Sequence, residues 1–209
     1  MLIGIDFDNT IAGYDDVFVS TAVGMEFLQA GEAASKQEVR DRLIQDPNGE
    51  RNWMRVQGQV YGARMNEAVL IDGVADFLRV CKKSRIPVCI VSHKTQFGHY
   101  DENRVDLRDA ALMWMQGNGF FEADGFGLSR DAIYFETTRE AKVDRIAALG
   151  CTHFVDDLMT VFQEPGFPEN TRRYLFAPGR GATASHSVTP CQSWVDIGGL
   201  ILAETNPND

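Results

Sequence analysis

The sequence predicts an α/β fold: a doubly wound parallel sheet (Rossmann-like) with a helical segment inserted after the first strand. Three observations predict it. Short apolar runs such as Leu2-Ile3-Gly4-Ile5 and Val88-Cys89-Ile90-Val91 read as strands covered on both faces. Helical patterns separate these runs, and strand–helix alternation belongs to parallel sheets. Several runs stop at a polar residue, and in such sheets ligands bind at the carboxyl ends of the strands.

The first strand stops at Asp6. From 13 to 70 the chain reads as wholly helical. Val19, Val23 and Phe27 form one stripe. Ser35-x-x-Glu38 is a capping box ahead of Val39 and Leu43. Asp46-Pro47-Asn48-Gly49 is a turn, and Trp53, Val56, Val60 and Tyr61 form a further stripe. The expected division is a catalytic core of residues 1–12 and 71–209 with a helical cap insertion of 13–70, placed to act as a lid over the strand ends. Val74, Phe77, Leu78 and Cys81 share a helix face after an N-cap at Asp72. The next strand ends at Ser92. Val105, Ala111, Leu112 and Met115 suggest a helix that finishes near Gly117. Ala132-Ile133-Tyr134-Phe135 is a strand, and Thr137-x-x-Glu140 opens a helix with Val143, Ile146 and Ala147 that Gly150 closes. His153-Phe154-Val155 stops at Asp156-Asp157, and Tyr174-Leu175-Phe176 is a fifth strand candidate.

A chain of 209 residues suits one α/β domain plus a modest insertion. The formal net charge of −10 repels nucleic-acid phosphates, so no nucleic-acid partner is expected, although a local positive site can still take a small anion. No apolar run approaches the roughly 20 residues that span a membrane, and no secretory leader is expected. Cys81, Cys89, Cys151 and Cys191 contain no CxxC pair and read as reduced thiols of a cytoplasmic protein. Nothing in the sequence fixes the oligomeric state.

Asp6-Phe7-Asp8-Asn9-Thr10 follows the first strand directly. Taken alone it also reads as an Asx-type turn. Two carboxylates at i and i+2 can both reach the mouth of a sheet. One can attack phosphorus, a known role for aspartate, while the other exchanges a proton with the leaving oxygen. Ser92, Lys142 and Asp156-Asp157 follow in order, each at an element boundary. With them the segment resembles the four motifs of the haloacid-dehalogenase-like (HAD) superfamily, phosphatase branch with a small helical cap. The resemblance spans Ile3 to Asp157.

The resemblance implies a Mg²⁺-dependent phosphatase acting on a small phosphate monoester through an aspartyl-phosphate. The same fold also admits a phosphotransferase or a catalytically silent ligand-binding member. It implies that Asp6 is the nucleophile and that Asp8 is acid, then base. It implies that Thr10, Ser92 and Lys142 bind phosphate. The implied protein ligands of Mg²⁺ are Asp6, the backbone carbonyl of Asp8 and Asp156, while Asp157 joins the metal site through water or orients a neighbour. The presence of Asp8 argues against a dehalogenase, since a halide leaves without a proton. Phosphonatases of this family use a cap lysine. The insert's one lysine, Lys36, lies within a capping box and reads as an exposed helix residue.

The loop from His93 to Tyr100 is polar, aromatic and basic within an acidic chain. His93, Lys94 and His99 are candidate contacts to the phosphate or the leaving group; the alternative is a solvated surface loop. His93 and His99 lack a third ligand for zinc. Arg55 is a candidate for a second anionic group. The expected partner is a small phosphorylated metabolite such as a sugar phosphate or nucleotide.

Overall fold

A computed structural model describes residues 1–101, 103–181 and 187–205. Its strands are β1 (Ile3–Ile5), β2 (Ala12–Gly13), β3 (Val69–Leu70), β4 (Val88–His93), β5 (Ile133–Glu136), β6 (His153–Asp156), β7 (Arg172–Phe176) and β8 (Val188–Cys191). Its α-helices are α1 (Asp15–Gly24), α2 (Lys36–Leu43), α3 (Gly49–Tyr61), α4 (Val74–Lys83), α5 (Leu107–Gly117), α6 (Arg139–Leu149), α7 (Met159–Phe162) and α8 (Trp194–Leu202). Six strands form one parallel sheet in the order β5-β4-β1-β6-β7-β8. After β1 the sheet grows toward β5; after β6 it grows toward β8. The direction therefore reverses between β1 and β6, the place where ligands bind in doubly wound sheets.

The chain folds as two compact units: Met1–Ala12, Leu70–His93 and Gly119–Asp209, and, separately, Gly13–Val69 with Lys94–Asn118. In the first unit Ile3 and Ile5 are fully buried. Gly4 lies between them, and a Cβ there would stand 2.6 Å from the Phe154 ring and 2.9 Å from Cys151 Sγ. The sulfurs of Cys89 and Cys151 are 3.7 Å apart, and all four cysteines are free and buried. Gly4→Ala should therefore destabilise the protein by about 1–3 kcal/mol through overpacking. Urea unfolding measures this, and an unchanged midpoint would mean that Phe154 and Cys151 yield freely.

Three details of the first unit differ from the sequence expectation. β8 was not foreseen because Pro190 interrupts Val188-Thr189-Pro190-Cys191; the strand sits at the sheet edge, where a residue without N–H is tolerated. The N-cap of α4 is Gly73 at φ +87°, not Asp72, because a Cβ there would meet Trp194 Cβ at 2.8 Å. α6 starts one residue later than predicted: Thr138 caps it by accepting from Ala141 N, while Thr137 turns its carbonyl toward His93. Gly150, at φ +67°, closes α6 as expected.

The second unit contains α1, α2, α3 and α5. Its α1 buries Val17, Phe18, Thr21 and Ala22 instead of Val19, Val23 and Phe27. Phe18 stacks on Trp53 with ring centroids 5.1 Å apart, which sets that face, and Phe27 lies beyond the helix end. Ser35 caps α2 by accepting from Glu38 N, and the Glu38 carboxylate accepts from Ala34 N. Lys36 is half-buried, not exposed: its ammonium lies 5.5 Å from the Phe18 ring centroid and 5.8 Å from that of Tyr61. Residues 94–118 join this unit through tertiary packing. A Cβ on Gly98 would come within 2.7 Å of the Gly58 backbone, and the Trp114 indole donates to Ala68 O at 2.9 Å. Among the described residues no helix is long and apolar enough to cross a membrane.

Candidate active site

The site is built at the carboxyl ends of β1, β4 and β6 in the first unit. Asp6 N–H donates to Val155 O at 2.9 Å, the last rung before the chain leaves the sheet. A tight turn follows. Ile11 N and Ala12 N both donate to Phe7 O, and Asn9 adopts φ +59°, a left-handed value that asparagine tolerates. Phe7 is fully buried, and the Trp194 indole donates to Thr10 O at 2.9 Å. The acidic loop is thus held by its own hydrogen bonds, by an aromatic anchor and by α8.

Lys142 is 2% exposed and projects from the first turns of α6. Its ammonium donates to Asp6 Oδ1 and to Asp156 Oδ2, each at 2.6 Å. Thr10 Oγ1 donates to Asp6 Oδ2 over a longer 3.4 Å. Asp156 is fully buried and also accepts from Leu158 N at 2.9 Å. Ligand oxygens of Asp6, Asp156 and Asp157 all lie within 4.8 Å of one another. Burial pushes the Asp6 carboxyl up to about 8; Lys142 opposes this, while Asp156, Asp157 and Asp8 add to it. Burial pulls the Lys142 ammonium down, but Asp156 and Asp6 outweigh it and the net shift is upward.

This arrangement fits a divalent cation. The donors are hard carboxylate oxygens, which suit Mg²⁺. Three acids facing one lysine leave surplus negative charge for such an ion to offset. Ser92 supplies a second indication of a ligand. It is 1% exposed, and its Oγ finds no partner among the described residues. An unpaired buried hydroxyl costs about 1–3 kcal/mol, which an incoming acceptor would remove.

Other predicted residues lie as follows. Asp8 is half-buried in the same loop as Asp6. His93 is exposed at the end of β4, with Nε2 3.1 Å from Thr137 O. Partial desolvation of its ring at the strand end keeps its pKa below the ordinary histidine value, the Thr137 carbonyl opposing and Lys142 assisting. Lys94, His99 and Arg55 belong to the second unit. There Lys94 is buried with its ammonium 4.7 Å from the Tyr61 centroid, His99 is exposed, and Arg55 lies over Phe27 at 5.4 Å. The lysines of this unit are therefore Lys36 and Lys94, where the sequence boundary assigned only Lys36. The sequence reading missed Arg180, whose Nη2 donates to the carbonyls of Asp157 and Phe176. Pro178-Gly179-Arg180-Gly181 signals only a turn, and a contact to main-chain oxygen leaves no side-chain motif.

No protein-family model matches this sequence, and no curated protein does. Solved structures do. A HAD-superfamily hydrolase from Ehrlichia chaffeensis aligns with a TM-score of 0.59 at 11% identity, over 98% of this chain and 97% of that one. The chain has the HAD-type α/β fold. A second HAD hydrolase, from Deinococcus radiodurans and with bound phosphate and sodium, gives a TM-score of 0.58 at 14% identity, covering 98% and 96%. Protein tyrosine kinase A of Mycobacterium tuberculosis also aligns, at TM-score 0.63 and 15% identity, covering 96% of this chain and 97% of that one. On this HAD fold Asp6, Lys142, Asp156 and Asp157 converge at the reversal point between β1 and β6.

Proposed function

We propose that the protein is a Mg²⁺-dependent phosphatase that hydrolyses a small phosphate monoester through an aspartyl-phosphate on Asp6. The observation that carries this reading is the buried Lys142 ammonium, bonded at 2.6 Å to both Asp6 and Asp156 beside a third acid. An Asp6 oxygen attacks phosphorus in line; the new O–P bond forms as the ester O–P bond breaks. Asp8 gives its proton to the departing oxygen and then takes one from the water that hydrolyses the acyl-phosphate. Such acid–base assistance is typically worth about 10²–10⁴-fold. Lys142 fixes the Asp6 carboxylate and balances phosphoryl charge, and Ser92 Oγ donates to a phosphoryl oxygen. Thr10 steadies the Asp6 carboxylate and lines the phosphate site. Asp6, Asp156, Asp157 and the Asp8 carbonyl would hold Mg²⁺, which when bound would supply the charge that lets a carboxylate approach a phosphate dianion.

Support for phosphate as the ligand comes from the unpaired Ser92 hydroxyl and from the phosphate held by the Deinococcus relative. The test is release of phosphate from p-nitrophenyl phosphate. Activity should require Mg²⁺, vanish in excess chelator and return when Mg²⁺ is restored. No release from any member of a broad metabolite-phosphate panel, with Mg²⁺ bound, would favour a silent binding protein. Faster release from large phosphoproteins than from every metabolite would overturn the small-substrate assignment. A second reading, transfer to an alcohol instead of water, draws on the kinase among the relatives. Added acceptor alcohols would then yield phosphorylated products. A small phosphorylated metabolite is the proposed partner.

A further inference from the structure

We propose that Arg180 is a positioning residue for Asp157, locking the third acid of the cation site through its main chain; this rests on reading Asp6, Asp156 and Asp157 as Mg²⁺ ligands. Parallel pairing of β6 with β7 ends at Asp156 and Leu175. One residue further along, Asp157 and Phe176 have left that ladder. Arg180 Nη2 donates to both of their carbonyls, at 3.2 Å to Asp157 O and 3.0 Å to Phe176 O. One guanidinium nitrogen thus replaces the missing rung and ties the two strand ends together beyond the β6–β7 ladder, while Phe176 stays paired with Cys191 of β8.

Arg180 is itself held. Its N–H donates to Ala177 O at 3.1 Å. The Gln192 side chain clamps the same loop from both ends of its amide: Oε1 accepts from Gly179 N at 2.9 Å, and Nε2 donates to Arg180 O at 3.2 Å. Gln192 N in turn donates to the Asp196 carboxylate, in the first turn of α8, at 3.0 Å. The support runs from α8 through Gln192 and Arg180 to the peptide that carries the Asp157 carboxylate. Asp156 has its own anchors, Lys142 and Leu158 N. The direction of the Asp157 side chain is set by a peptide just past the end of β6, and the Arg180 bond fixes that peptide.

Charge and position act with opposite signs here, which makes the proposal decidable. A guanidinium near the acids weakens cation binding electrostatically, though screening is strong because Arg180 is exposed. Fixing Asp157 strengthens binding. Loss of a partner that orients a metal ligand typically lowers affinity about 10–100-fold. An anchor that acts through the main chain belongs at the lower end, about tenfold.

The experiment is calorimetric titration of Mg²⁺ into the full chain and into Arg180→Ala, Arg180→Lys and Gln192→Ala. Arg180→Ala should bind Mg²⁺ about tenfold more weakly. Gln192→Ala should shift in the same direction by less, and Arg180→Lys should fall between Arg180→Ala and the parent. Phosphatase activity of Arg180→Ala should fall at low Mg²⁺ and recover as Mg²⁺ is raised, with KM for the phosphate ester moving less than the apparent Mg²⁺ constant. Equal or tighter Mg²⁺ binding by Arg180→Ala overturns the proposal. If Arg180→Ala does not fold by circular dichroism, the other two variants decide by the same criterion. If the parent chain takes up no Mg²⁺, the cation-site reading fails and this proposal with it; parent binding with unchanged variants removes the Arg180 role alone.

Discussion

Asp6→Asn should lower phosphate release by more than about 10⁴-fold while leaving the protein folded. An amide oxygen is a poor nucleophile and cannot form the acyl-phosphate, so no alternative route should carry turnover. The fold should tolerate the change. Burial raises the Asp6 carboxyl above its ordinary value, Lys142 opposing and three neighbouring acids assisting, so removing its charge costs the fold less than removing that of an unshifted carboxylate. Asparagine keeps an oxygen for the Lys142 ammonium and preserves side-chain volume. Two measurements check this: kcat on p-nitrophenyl phosphate with a thermal melt, and mass spectrometry of acid-quenched turnover mixtures. The wild type should show a phosphoryl adduct on the peptide containing Asp6, and the variant none. Normal turnover by the variant would place the nucleophile elsewhere.

The parts of this site that the sequence revealed share one physical origin. β1, β4 and β6 are buried on both faces, so their apolar runs end abruptly where the chain reaches the sheet mouth. The polar residues at those points, Asp6, Ser92 and Asp156, stand out against Ile, Val and Phe. Lys142 stands out differently, as a cation among the buried residues of a helix whose cap and closing glycine mark its place in the chain. What the sequence concealed depends on tertiary structure. The Gly58–Gly98 approach and the Trp114–Ala68 hydrogen bond attach residues 94–118 to the helical unit, and neither has a local pattern. The shift of the α6 cap from Thr137 to Thr138 follows from His93, distant in sequence, meeting the Thr137 carbonyl. Pro190 hid an edge strand, since proline argues for a turn until its place at the margin of the sheet is known.

Lys142→Met should damage stability and activity together, and cation dependence separates the two. The ammonium is the bridge between two buried carboxylates, with side-chain exposures of 2%, 8% and 0% for Lys142, Asp6 and Asp156. Removing one partner of such a buried ionic group leaves uncompensated charge, an effect of about 3–5 kcal/mol. In a chain of this length that corresponds to a fall in melting temperature of roughly 10 °C in chelator. On the proposed function Mg²⁺ binds the same acids, so it should restore more stability to the variant than it adds to the wild type. Catalysis should not recover in parallel. With the site filled, the Asp6 carboxylate still lacks its fixed donor and the phosphoryl group lacks one positive charge, so kcat should stay down by about 10²–10³-fold, the range seen when one preorganised charge-stabilising donor is lost. Melts in chelator and in Mg²⁺, with kcat measured below the variant's melting range, supply the comparison. A Lys142→Met protein that melts with the wild type in chelator would show that the bridge holds nothing. One that regains full turnover with Mg²⁺ would show that the lysine serves the fold alone.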